Sequence, residues 1–94
     1  MFYVYILYST EFDKYYIGQT IDVLARLERH NHGSEKATSP YIPWALHWFT
    51  QKESRAEAMI LEKKLKNLSK KRLREFIQKY GSAGPDVADG KSGC

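Results

Sequence analysis

The chain opens on Phe2-Tyr3-Val4-Tyr5-Ile6-Leu7-Tyr8, seven apolar or aromatic residues with no helical spacing of polar positions. Side chains of this β-branched and aromatic kind, without polar alternation, predict a strand covered on both faces. The run is far short of the roughly 20 residues that cross a bilayer, so no membrane partner is expected. A chain of 94 residues makes at most one domain and buries only about 60–65% of its unfolded surface. A two-domain enzyme with a large cofactor fold is therefore excluded.

Ser9 to Lys14 is polar and turns the chain. Tyr15-Tyr16-Ile17-Gly18-Gln19-Thr20 predicts a second strand, and the short polar link predicts an antiparallel hairpin. Gly18 inside a strand costs order, which points to close approach by another group. Asp22 is an N-cap residue, and Val23, Leu24, Leu27 and Asn31 follow at helical spacing, predicting a helix to about Asn31. Gly33 to Pro40 is a polar loop, and Trp44 to Phe49 predicts a third strand with Pro43 at its start. Ser54-Arg55-Ala56-Glu57 fits the capping box, with Ala58, Leu61, Leu65 and Leu68 as the stripe of a second helix. Ser69 caps a third helix with stripe Leu73, Phe76, Ile77 and Tyr80, closed by Gly81. Residues 82–94 are rich in Gly, Ala, Ser, Pro and Asp and are expected to be a disordered tail. The expected fold is α+β: a three-stranded antiparallel sheet flanked by helices, order β-β-α-β-α-α, in one domain over residues 1–81.

Forty-three per cent hydrophobic residues and thirteen aromatics exclude bulk disorder. The single cysteine, Cys94, forms no internal disulfide, and no signal-peptide pattern opens the chain. A cytoplasmic setting is the expectation. The net charge of +4 is unevenly placed. Lys63, Lys64, Lys66, Lys70, Lys71, Arg72, Arg74 and Lys79 face only Glu75 between positions 63 and 79, while the first fifty residues are slightly acidic. A basic cluster of this kind grips phosphates and releases counterions. Its bland counterpart is a solvated helix face, where lysine is simply a good helix former.

Polar residues also fall in apolar places. At about 100° per residue, Arg26 and His30 lie within about 60° of Val23, beside the apolar stripe. Glu62 falls about 40° from Ala58 and points partly toward the sheet, where a carboxylate needs a cation, a metal or donors. Tyr3, Tyr5 and Leu7 share a strand face, and symmetric hairpin pairing adds Tyr16 and Gly18 to it. One surface is thus expected to collect two phenols, a guanidinium, an imidazole and a carboxylate. Each serves phosphodiester cleavage: the carboxylate as a hard ligand for Mg²⁺ or Mn²⁺, the guanidinium as a fork for phosphate, a phenol or imidazole as proton relay. Taken singly, each has a plainer reading. Strand tyrosines are commonly amphipathic core, Arg26 and Glu62 make a structural ion pair, and His30 is a cation at a helix C-terminus.

In combination these residues resemble the GIY-YIG nucleases. Tyr16-Ile17-Gly18 matches the second half-motif, and Tyr3-Val4-Tyr5 the first, with tyrosine where glycine is usual. The stretch from Gly18 to Leu27 is similar to the family's run from that glycine to its catalytic arginine, and Ala56 to Glu62 to the helix ending in its metal-binding glutamate. The chain looks most like the short stand-alone members, related to the incision subunits of bacterial excision repair and to junction nucleases. The resemblance implies that Tyr5 and Tyr16 position and deprotonate water, that Arg26 stabilises phosphate charge, that His30 relays a proton, and that Glu62 holds one Mg²⁺ or Mn²⁺. It implies an endonuclease acting on DNA, in repair or on branched or damaged DNA, with Lys63, Lys64, Lys66, Lys70, Lys71, Arg72 and Arg74 on the nucleic acid and a protein partner supplying specificity.

Two rivals remain. One is a non-catalytic nucleic-acid-binding module that uses the basic helices, with Trp44 or Trp48 stacked on bases. The other is an adapter gripping an acidic protein. His30, His32, His47 and Cys94 fit no common zinc spacing.

Overall fold

A computed structural model describes residues 1–80; the expected tail over 82–94 and the Gly81 cap lie outside the described residues. The opening run forms β1 (Phe2–Ser9), which pairs antiparallel with β2 (Lys14–Thr20) and with β3 (Ala45–Lys52). Between β2 and β3 lie α1 (Val23–Asn31) and a single 3-10 turn (Ser39–Tyr41); α2 (Arg55–Lys66) and α3 (Lys70–Lys79) follow. Sheet order is β2-β1-β3, so β1 is central and β2 is an edge strand. The fold is the three-stranded α+β arrangement with the expected element order.

Burial of β1 on both faces follows from this position. Val4, Ile6, Ile17 and Trp48 face Ala58, Leu65 and Leu73 of α2 and α3. Tyr5, Leu7 and Trp44 face Val23 and Leu27 of α1. The sheet therefore stands between α1 on one side and α2 with α3 on the other. The pairings Tyr5↔Gly18 and Leu7↔Tyr16 put both tyrosines and the glycine on the α1 face, as symmetric pairing predicted.

Asp22 caps α1, its carboxylate accepting the Ala25 amide at 3.0 Å. The helix closes on a Schellman motif: the Gly33 amide donates to the His30 carbonyl and the Ser34 amide to the Arg29 carbonyl, with Gly33 at φ +80°. Ser54 and Ser69 cap the later helices through the Glu57 and Arg72 amides.

Two core assignments and one strand boundary need correction. Leu24 is exposed, because α1 turns the arc holding Val23, Leu27 and His30 to the sheet and Leu24 lies about 100° away. Tyr80 is exposed at the end of α3. Trp44 precedes its strand, with Asn31 Oδ1 accepting from its amide at 2.6 Å and Asn31 Nδ2 donating to its carbonyl at 3.0 Å. Among the described residues no helix is long and apolar enough to cross a membrane.

Candidate active site

Four of the five residues singled out for catalysis meet on the α1 face. Tyr5, on the central strand, is 1% exposed, and its hydroxyl lies 3.0 Å from His30 Nε2. The Tyr16 ring packs on His30 with centroids 4.9 Å apart and on Tyr5 at 6.3 Å. Arg26, one helical turn before His30, lies half-buried beside the Tyr5 phenol. Gly18 explains how the phenol reaches this place. A Cβ at Gly18 would stand 2.6 Å from the Tyr5 hydroxyl oxygen and 2.8 Å from its Cζ, so only glycine lets the ring lie across β2.

Burial governs the electrostatics. The Tyr5 pKa is pushed up to about 12, chiefly by burial and secondly by Tyr16, while Arg26 pulls the other way. Burial also lowers the His30 pKa. At neutral pH the phenol keeps its proton and the imidazole is uncharged, so His30 is not a helix-terminal cation. Transfer of the Tyr5 proton to a neutral imidazole leaves a phenolate beside an imidazolium, which burial disfavours, unless the phenol takes up another proton in the same event.

Glu62 does not join the four. It sits on α2, on the opposite side of the sheet, half-buried. Gln19 Nε2 donates to its Oε1 at 2.8 Å, and Lys66 Nζ pairs with its Oε2 at 2.8 Å. Alternation along β2 is the reason: Gly18 faces α1 and Gln19 faces α2. The single face expected to hold all five groups is thus divided by the edge strand. The plainer reading of Arg26 and Glu62 as a structural ion pair is not what forms: Glu62 pairs with Lys66. Among the described residues no three acidic, histidine or cysteine side chains gather as metal ligands.

The basic cluster is also divided. Lys66 is held by Glu62, and Lys70 and Arg74 are both held by Asp13, which accepts the Tyr8 hydroxyl at 2.6 Å as well. Asp13, at φ 52° in the hairpin turn, thereby ties the turn to α3. Lys63, Lys64, Lys71 and Arg72 are exposed and make no ion pair among the described residues. A groove of about 370 Å³ runs beside β2, lined by Lys14, Tyr16, Lys66 and Lys70 among others. Both tryptophans are buried in the fold: Trp44 donates its indole N–H to the Thr38 carbonyl at 2.9 Å, and Trp48 packs edge-on against Phe76.

Sequence reasoning missed Gln19, Asp13 and Thr38. Strand alternation from Ile17 was signal enough to place Gln19 on the α2 side. Asp13 and Thr38 lie in polar segments, where neither spacing nor composition marks a partner.

The phenol pair, the guanidinium and the imidazole thus stand together on a β-hairpin backed by a helix. A family model described as the GIY-YIG catalytic domain matches residues 1–80. The chain belongs to the GIY-YIG family. It is similar to the UPF0213 protein BH0048 from Bacillus halodurans, known from a solution NMR structure, at 32% identity over 84% of this chain and 85% of that one, with a TM-score of 0.55. No curated protein matches the chain.

Proposed function

We propose that this chain is a divalent-metal-dependent endonuclease that hydrolyses DNA phosphodiester bonds. The observation that carries the reading is the Tyr5–His30 contact, 3.0 Å and buried, with Arg26 beside it. In this mechanism the attacking water gives a proton to the Tyr5 phenol as that phenol gives its own to His30 Nε2; the new P–O bond forms as the P–O3′ bond breaks, and the leaving 3′ oxygen takes a proton from solvent. Neither a free phenolate nor a buried charge pair forms ahead of attack. Tyr16, the more exposed phenol, orients water and phosphate. Arg26 meets the charge that builds on the phosphoryl oxygens.

Glu62 offers a hard divalent ion one half-buried carboxylate, its Oε1 held in place by Gln19; the ion would take Oε2 by displacing Lys66. Mg²⁺ and Mn²⁺ are commonly held by one or two protein carboxylates while keeping several waters. Such an ion supplies Lewis-acid polarisation of the phosphoryl oxygen. The scissile backbone crosses the open edge of β2, with the phenols and Arg26 on one side and Glu62 on the other. The flanking phosphates are carried by Lys14 in the groove along that edge and by the exposed Lys63, Lys64, Lys71 and Arg72. Branched or damaged DNA in a repair setting is the proposed substrate, with a protein partner sharpening selection.

The test is a panel of plasmid, flap, junction and single-stranded DNA with Mg²⁺, Mn²⁺ or chelator. Wild type is expected to cut in the presence of metal, leaving a 5′-phosphate and a 3′-hydroxyl. Arg26→Ala and Glu62→Ala are each expected to lose about 10²–10³-fold in rate. Cleavage surviving in both variants, or DNA binding with no product under any condition, overturns the proposal; the latter result establishes a binding module.

A further inference from the structure

His30 is enclosed, and both its ring nitrogens are taken. Nε2 meets Tyr5, and Nδ1 lies 2.8 Å from the Thr38 hydroxyl. Thr38 is 1% exposed, in the loop ahead of the 3-10 turn. Its main chain is fixed from two directions. The amide donates to the Glu35 carbonyl at 3.2 Å, and the carbonyl accepts from Trp44 Nε1 at 2.9 Å. Asn31 in turn grips Trp44 at amide and carbonyl. The hydroxyl is therefore carried to His30 by a braced backbone, and its own bond is not what holds the loop.

A neutral imidazole has one N–H donor and one bare acceptor, and the partner of one nitrogen decides the state of the other. The Thr38 hydroxyl has a second neighbour, the Glu35 carbonyl at 3.4 Å, which only accepts. With its proton directed there, Thr38 Oγ1 presents a lone pair to His30, and Nδ1 must donate. Nε2 is then bare. On the far side, Arg26 beside the phenolic oxygen is a donor only, so the Tyr5 proton is left to point at Nε2.

We propose that Thr38 is a positioning residue: its hydroxyl holds His30 as the Nδ1–H tautomer and so makes Nε2 the acceptor for the Tyr5 proton. The catalytic consequence rests on the endonuclease reading above; the tautomer itself does not. The other groups facing His30 are Tyr16 from β2, Arg26 and Arg29 on α1, and Glu35 from the loop, which pairs with Arg29 at 2.8 Å.

Thr38→Val keeps the side-chain shape and both main-chain bonds while removing the hydroxyl; Thr38→Ser keeps the hydroxyl. The tautomer is read directly by long-range ¹⁵N–¹H NMR on ¹⁵N-histidine-labelled protein above the His30 pKa. Wild type and Thr38→Ser are expected to show a protonated Nδ1 and a bare Nε2. Thr38→Val is expected to lose that pattern, with the Trp44 indole resonance unmoved as the sign of an intact loop. In cleavage assays Thr38→Val is expected to lose about 10–100-fold in kcat with KM little changed, to shift the acidic limb of its pH profile, and to be rescued by serine. A wild-type spectrum with protonated Nε2 overturns the proposal, and so does a Thr38→Val spectrum identical to wild type. Should valine unfold the loop, the wild-type spectrum alone decides. Should wild type cut no DNA, the endonuclease reading fails while the spectra still settle the part played by Thr38.

Discussion

The Tyr5 hydroxyl lies across Gly18, so close that a single methyl group on that glycine would stand 2.6 Å from the phenolic oxygen. Tyr5 has no space to retreat, being packed against Leu7, Trp44 and the α1 helix. Gly18→Ala therefore swings the phenol off His30 or bends β2. The expected cost is about 1–3 kcal/mol of stability, as for overpacked cores. DNA cleavage is expected to fall as far as in Tyr5→Phe. Thermal melting beside nicking assays checks both, and an unchanged Tyr5–His30 contact in the variant would contradict the account.

The raised Tyr5 pKa makes a second prediction. Its folded value of about 12 exceeds its ordinary 10.0, so the stabilisation is whole below pH 10 and is lost as pH climbs toward 12. An ultraviolet tyrosinate titration is expected to show a late-ionising phenol that is missing in Tyr5→Phe.

Acid acts in two separate windows. Burial lowers the pKa of both His30 and His47 below 6.5, so the unfolded chain binds protons first. Stability is full above about pH 6.5 and declines below it. His47 packs at a tilt against Tyr8 and edge-on against Tyr15, and His47→Phe is expected to shrink the decline. Asp13 follows at lower pH. Held first by the Tyr8 hydroxyl and then by Lys70, its carboxyl is lowered from 3.8 to about 2. Its contribution is present above 3.8 and disappears as pH falls toward 2. Asp13→Asn is expected to abolish that second decline in a melting series from pH 5 to pH 2.

The split in the basic cluster predicts unequal effects on DNA affinity. Lys63, Lys64, Lys71 and Arg72 make no ion pair among the described residues, whereas Lys70 is engaged by Asp13. Replacing any of the four with alanine is expected to weaken binding across all sequences. Each replacement is also expected to lower the slope of log affinity against log salt by about 1. Lys70→Ala is expected to change the slope less. Binding measured over a salt series distinguishes the two groups.

Element order, the hairpin register and the caps at Asp22, Ser54 and Ser69 were legible because each follows from neighbouring residues: alternation, helical spacing and side chains that reach three positions along the chain. So was the family, since tyrosine, Tyr-Ile-Gly, arginine and glutamate stand in order. The direction α1 presents to the sheet was less so, as the exposed Leu24 and buried His30 show. A helical wheel fixes relative angles but not which arc meets a sheet that the helix has yet to reach.

Sequence by itself determined that β1 would be enclosed, that Tyr5, Gly18 and Tyr16 would share a face, and that Arg26 and His30 would stand one turn apart. These are matters of period and pairing, settled within a few residues. Only the tertiary structure decided that α2 packs on the other side of the sheet from α1. That choice gives Glu62 to Gln19 and Lys66 and leaves β2 standing between the carboxylate and the phenols. It also brought Thr38 onto His30 and Asp13 onto α3. Such contacts join segments up to sixty-one positions apart, and no local pattern encodes them, because they follow from how whole elements bury their apolar faces.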